Sequence, residues 1–239
     1  MSDRPVAIVT GAGSGVGRDT VILLAEAGYD VVLVARTESA LAATIELAKK
    51  DAGGDADLLV CPADISTPDA ARHIVDTTLA RFGRIDALAN VAGTAPLMPI
   101  DRITPDAWRT CIDTNLTSVV LLTAAVWPTF RKQKQGVIVN VSSMASIDPF
   151  PGFAMYAAAK AGVNLFTRCT ADEGKRLNVR AVCIAPGAIE TPMLRQNFNE
   201  KTIPADKCLD PMDIAAAIRD CITARRAFQP GETIVMNSP

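Results

Sequence analysis

Seven short apolar runs punctuate the chain: VAIVT from Val6, VVLVA from Val31, LLVC from Leu58, ALAN from Ala87, VIVNVS from Val137, VRAVCIA from Val179 and TIVM from Thr233. They are rich in β-branched residues and apolar on both parities, as strands covered on both faces should be. Between them, segments 16–27, 38–51, 68–82, 105–133, 154–175 and 211–225 read as helices. Strand–helix alternation of this kind predicts parallel βαβ units. The expected fold is therefore α/β, a doubly wound parallel seven-stranded sheet of Rossmann type with helices on both faces. No linker, repeat or low-complexity tract interrupts the pattern, so residues 1–239 are expected to form a single domain.

Composition sharpens this. The 239 residues are 49% hydrophobic and 21% charged, enough to bury a sizeable core. A formal net charge of −2, with both signs mixed along the chain, argues against a nucleic-acid or membrane surface. The longest apolar stretch, LTSVVLLTAAVW from Leu116, falls short of the roughly 20 residues a membrane span needs. The opening MSDRPVAIVT runs straight into a strand-like segment with no secretory leader. Six cysteines without a C-x-x-C pair, and one histidine, offer no metal site and read as reduced thiols. A cytoplasmic protein with a small-molecule partner is expected.

Candidate chemistry begins at Thr10–Gly17, TGAGSGVG, between a buried strand and an amphipathic helix. Glycines at 11, 15 and 17 permit a tight turn and close approach of backbone to a diphosphate. The following helix then aims its amide donors and positive dipole end at the phosphates.

A second stretch, SMASIDPFPGFAMYAAAK (Ser143–Lys160), carries a hydroxyl, a phenol and an ammonium. Residues four apart share a helix face, so Lys160 lies beside Tyr156. A phenol with an ordinary pKa of about 10 is a poor base near neutrality, and an adjacent ammonium favours its ionised form. Ser143 closes the fifth strand and can hold a carbonyl oxygen, whereas strand alternation turns Ser142 the other way. Asp148 reads as a loop-surface carboxylate and His73 as a surface histidine on a helix.

The spacing Gly-x-x-x-Gly-x-Gly is joined by NVAG at Asn90–Gly93, Asn115 in NLTS, IVNVSS ending at Ser143, YAAAK at Tyr156–Lys160 and PGAIETPM at Pro186–Met193. In these motifs the chain resembles the short-chain dehydrogenase/reductase family, in its ordinary-length, single-domain branch, and is similar to 3-oxoacyl reductases. The resemblance implies strand order 3-2-1-4-5-6-7, a nicotinamide cofactor and hydride transfer to or from a ketone or secondary alcohol. It implies catalytic roles for Asn115, Ser143, Tyr156 and Lys160, with Asn115 bending the long fifth helix in which it lies. For the cofactor it implies a phosphate turn of Gly11, Ser14, Gly15, Val16 and Gly17, with Asp64 receiving the adenine amino group. Asn90, Ala92 and Gly93 would wall the adenosine, with Val91 departing from the commoner asparagine. Pro186, Gly187, Ile189 and Thr191 would flank the nicotinamide, where Tyr156 and Lys160 also reach.

NAD(H) relatives carry a carboxylate at the end of the second strand, and this chain has Ala35, Arg36 and Thr37 there. Arg36 offers a charged fork and Thr37 a hydroxyl to a 2′-phosphate, so NADP(H) is expected over NAD(H). Family members pair the helices of 105–133 and 154–175 between subunits, implying a homodimer or homotetramer in which Trp127 is a candidate anchor. Methionines and phenylalanines in the loops suggest an apolar cleft. A nucleotide-binding sensor without turnover is the alternative, and a nucleotide-sugar epimerase would need a larger substrate domain.

Overall fold

The computed structural model describes residues 3–52 and 55–239. Seven strands, β1 (Val6–Thr10), β2 (Asp30–Ala35), β3 (Leu58–Pro62), β4 (Ala87–Asn90), β5 (Gly136–Val141), β6 (Val179–Pro186) and β7 (Thr233–Met236), form one sheet. Its order is β3-β2-β1-β4-β5-β6-β7 and every pairing is parallel. In register, Ile8 lies opposite both Val32 and Leu88. The order reverses between β1 and β4, which opens a crevice at the carboxyl ends of these strands.

Alternate residues of each strand feed two cores. Val9, Leu33 and Ile184 pack with Leu24 of α1 (Gly15–Glu26), Leu41 of α2 (Glu38–Ala52) and Ile218 of α8 (Pro211–Ile222). Ile8, Val34 and Ile138 pack instead with Ile74 of α3 (Ala70–Phe82) and with Leu122 and Phe130 of α5 (Ser118–Gln133). In the five central strands both faces are buried, which is why their sequences show no polar parity.

The segment expected as one helix over 105–133 is three pieces. Thr104 caps α4 (Pro105–Ile112) by accepting from the Ala107 amide at 3.2 Å. A π turn, Asp113–Thr117, follows, and α5 continues from it. The whole run, Pro105–Gln133, has the length and hydropathy of a membrane-crossing helix, contrary to the estimate from its longest apolar stretch. Here its residues Leu122, Val126 and Phe130 are buried against the sheet. Beyond β6 the chain forms a short helix the pattern had not indicated, α7 (Pro192–Asn197), before α8.

Candidate active site

β1 ends at Thr10, and the chain turns through Gly11 at φ +71°, where a Cβ would lie 3.0 Å from the Ala92 backbone. At Gly17 a Cβ would overlap the Gly11 carbonyl oxygen. Only bare backbone fits this approach. Thr10 joins the two turns, its hydroxyl oxygen accepting from the Val91 and Ala92 amides at 3.0 and 3.1 Å.

Ser14 caps α1 in extended conformation, exposed, with its hydroxyl making no cap bond. Gly15 opens the helix beside Thr191, and Val16 is buried beneath it. A bare turn, an unused hydroxyl and a helix start together fit a diphosphate, so these residues suit the group the motif implies.

Arg36 and Thr37 are exposed just past β2. Asp64, exposed past β3, accepts from the Ser66 hydroxyl at 2.7 Å and the Ser66 amide at 3.0 Å. Those bonds hold its carboxyl below the ordinary value, and the charge of Arg36 adds to the effect. Asn90 is buried and donates its amide to Asn140 at 2.8 Å, leaving only backbone for the crevice wall that Ala92 and Gly93 continue. Pro186 closes β6; Gly187 N–H donates to the Met236 carbonyl at 2.9 Å, Ala188 N–H to the Ser238 hydroxyl at 2.8 Å, and Ile189 pairs with Leu209. Thr191 caps α7, accepting from the Leu194 amide.

Tyr156 and Lys160 lie one turn apart at the start of α6 (Ala154–Gly174). The Tyr156 hydroxyl lies beside the Ser143 side chain, just past the end of β5. The Ser143 oxygen in turn accepts from the Ala145 amide at 3.1 Å, which leaves its O–H free to donate. Lys160 is buried; its Nζ donates to the Val141 carbonyl at 2.8 Å and lies 5.7 Å from the Tyr156 ring centroid. Burial draws this ammonium down to about 8.

The phenol differs from expectation. Burial holds it above its ordinary value, and the neighbouring Ser143 hydroxyl offsets only part of that. The ammonium expected to lower it is directed at a backbone carbonyl instead, so desolvation prevails.

Asn115 is fully buried in the π turn. Its Nδ2 donates to the Cys111 and Thr94 carbonyls, each at 2.9 Å, and its Oδ1 accepts from the Thr94 amide at 3.1 Å. A Cβ on Gly93 would lie 2.8 Å from that Oδ1 and 3.4 Å from Lys160 Nζ. The four polar residues singled out from the motifs thus converge at the carboxyl ends of β4 and β5. A substrate oxygen between Ser143 and Tyr156 would meet two hydroxyl donors, one of them able to transfer its proton. Asp148 is exposed on the neighbouring loop, and His73 is exposed on α3.

Sequence reasoning passed over the residues that hold this cluster. Ser142 does turn away, donating to the Lys160 carbonyl at 3.1 Å. Ser146 donates to the Ser143 carbonyl at 2.6 Å and accepts from Asn164 Nδ2 at 2.8 Å, while Cys183 Sγ donates to Asn164 Oδ1 at 3.3 Å. Asn164 follows Tyr156 and Lys160 at the same four-residue interval, the one signal that could have found it.

The short chain dehydrogenase profile matches residues 5–202. A 3-oxoacyl-[acyl-carrier-protein] reductase of Synechocystis sp. is 37% identical over 95% of this chain and 93% of its own. Among solved structures, levodione reductase superposes with a TM-score of 0.90 at 31% identity, covering 99% of this chain and 97% of that one. An actinorhodin polyketide ketoreductase variant with NADPH gives 0.89 at 27% identity, with the same coverage. A profile spanning most of the length and whole-chain likeness to two reductases agree with the strand order and its crevice: the chain belongs to the short chain dehydrogenase family.

Proposed function

We propose that this oxidoreductase transfers hydride between NADP(H) and a ketone or secondary alcohol, with Tyr156 as its acid and base. The observation that carries the reading is the meeting of Ser143, Tyr156, Lys160 and Asn115 at one crevice, the first two side by side. Bound across the crevice, the nicotinamide supplies hydride in one direction and accepts it in the other. Ser143 donates to the carbonyl oxygen, and Tyr156 delivers the proton that neutralises the developing alkoxide, or removes it in reverse. Lys160 holds positive charge behind the phenol, and Asn115 fixes the Thr94 backbone beside it.

Gly11, Ser14, Gly15, Val16 and Gly17 take the diphosphate and Asp64 the adenine amino group. Asn90, Ala92 and Gly93 wall the adenosine, while Pro186, Gly187, Ile189 and Thr191 flank the nicotinamide. The exposed Arg36 and Thr37 favour a 2′-phosphate, and the ketoreductase relative with NADPH agrees with that preference. We also assign a two-fold homo-oligomer to the outer face of α5 and α6, where Trp127, Phe166 and Cys169 border a cavity of about 270 Å³.

Tyr156→Phe tests the chemistry. It removes one hydroxyl and leaves packing nearly intact, so folding and NADPH affinity should persist. Turnover should fall about 10²–10⁴-fold. Retention of more than about a third of the rate, with chemistry rate-limiting, refutes the role. Tight NADPH binding with no turnover of any carbonyl by the wild type would favour the sensor instead.

A further inference from the structure

Three loops roof the crevice, following β4 (residues 94–99), β5 (144–153) and β6 (190–204), and they are fastened to one another. Met98 N–H donates to the Gly152 carbonyl at 2.8 Å, and a Cβ on Gly152 would lie 2.7 Å from Leu97 Cδ1. Asn197 Nδ2 donates to the Ala95 carbonyl at 2.6 Å. The roof's shape is thus set by the chain itself.

Within these loops a relay of rings leads outward from the phenol. The Phe153 ring lies 5.3 Å from the Tyr156 ring, and Phe150 lies 4.5 Å from Phe153. Phe198, arriving from the third loop, is 5.9 Å from Phe150 and 6.1 Å, edge-on, from Phe153. These are the offset and edge geometries that rings favour, and a ligand ring would extend them. Exposure rises along the path: Phe153 is 7% exposed and Phe150 45%, with Ile147 at 54% and Leu97 at 42% beside it. An apolar track open to water next to polar chemistry is a binding surface.

The charges are equally informative. These loops carry Asp148, Glu190, Arg195, Glu200 and Lys201. Arg195 is already committed: it pairs with Glu190 and donates to the Phe198 and Ile203 carbonyls at 3.4 and 2.8 Å. Lys201 is the only remaining cation in these loops, against three carboxylates of which one is paired. Within these loops a coenzyme A thioester's 3′-phosphate and diphosphate would meet Lys201 alone, with the exposed Arg102 and Lys207 lying just beyond their ends.

Resting on the reductase reading above, we infer that the substrate is an uncharged ring-bearing ketone, alicyclic or aryl, taken up free rather than as a phosphopantetheine thioester. The ring lies along Phe150, Phe153 and Phe198 while its carbonyl reaches Ser143 and Tyr156. Reduction consumes one NADPH and one proton per carbonyl, giving the secondary alcohol and NADP⁺.

The test compares NADPH oxidation with 2-tetralone, butan-2-one and acetoacetyl-CoA, in wild type and Phe150→Ala, alongside NADPH binding by fluorescence. The expected result is kcat/KM for 2-tetralone at least about tenfold above acetoacetyl-CoA. In Phe150→Ala, the preference for 2-tetralone over butan-2-one should drop by roughly 3- to 10-fold, mainly through KM. Phe150 is half exposed, so the variant should fold, and unchanged NADPH affinity will verify that. Preference for acetoacetyl-CoA, or equal loss on both ketones in the variant, overturns the substrate class and leaves the reductase intact. Turnover of none of the three despite NADPH binding overturns both.

Discussion

At the scale of single residues, the site is a contest between burial and charge. Lys160 is held at about 8 against an ordinary 10.5. Between those values the folded chain binds fewer protons than the unfolded one, so this residue's contribution to stability rises with pH from about 8 to 10.5. Below pH 8 the full cost remains, roughly 3 kcal/mol for a difference of this size. Lys160→Met should therefore abolish turnover while gaining most in melting temperature, relative to wild type, below pH 8. That gain should shrink as pH climbs toward 10.5. A gap in melting temperature that ignores pH would contradict this account.

Arg36 is the other decisive residue, since no lysine or arginine lies between Thr10 and Gly17 to share a 2′-phosphate. A charge-assisted contact of about 1.5–3 kcal/mol corresponds to roughly 10- to 150-fold in affinity. Arg36→Asp should weaken NADPH by at least that factor and leave NADH equal or improved, measured at one salt concentration. A wild type that prefers NADH, or a variant that leaves the ratio untouched, ends the NADP(H) assignment.

At the scale of elements, the strands were legible because burial on both faces leaves β-branched runs that few other structures need. Helices α1, α3, α6 and α8 began within two residues of expectation, since Gly, Pro and capping residues mark their ends. The resemblance implied a bend at Asn115, but its form as a π turn at Asp113–Thr117 was not legible, because one extra residue shifts the apolar stripe without erasing it. The short α7 carries too little periodicity to detect. Ser146 and Asn164 escaped for a related reason: small polar residues have many local uses, and only tertiary contact selects one. Through them α6 grips the backbone of Ser143, so Asn164 is a positioning residue in this reading. Asn164→Leu should lower kcat on the order of tenfold, leave NADPH affinity unchanged, and be partly restored in Asn164→Ser. A stability loss without any change in kcat would show the contact to be structural only.

At the scale of the molecule, the seven strands bring motifs from much of the length of the chain to one end of the sheet, while the helices cover its two faces. All six cysteines are free, and burial raises the thiols of Cys61, Cys111, Cys183 and Cys221. Cys169 is exposed on α6, on the face assigned to assembly, one turn from Leu165, itself 60% exposed. Leu165→Glu should dissociate the oligomer at little cost to the fold and speed alkylation of Cys169 by maleimide. Sedimentation velocity reports the mass directly, and a monomeric wild type at micromolar concentration removes the assembly claim.

The π turn also bears on how such a site can arise. A helix with one surplus residue differs from a regular helix by a single codon, gained or lost in one mutational event. On either side of the insertion, α4 and α5 keep their own packing, so the scaffold can tolerate the change before any chemistry depends on it. Within the turn, Asn115 Nδ2 takes up the Cys111 carbonyl at 2.9 Å, and the same side chain bonds across to Thr94. A chain with an unbroken helix is thus one codon away.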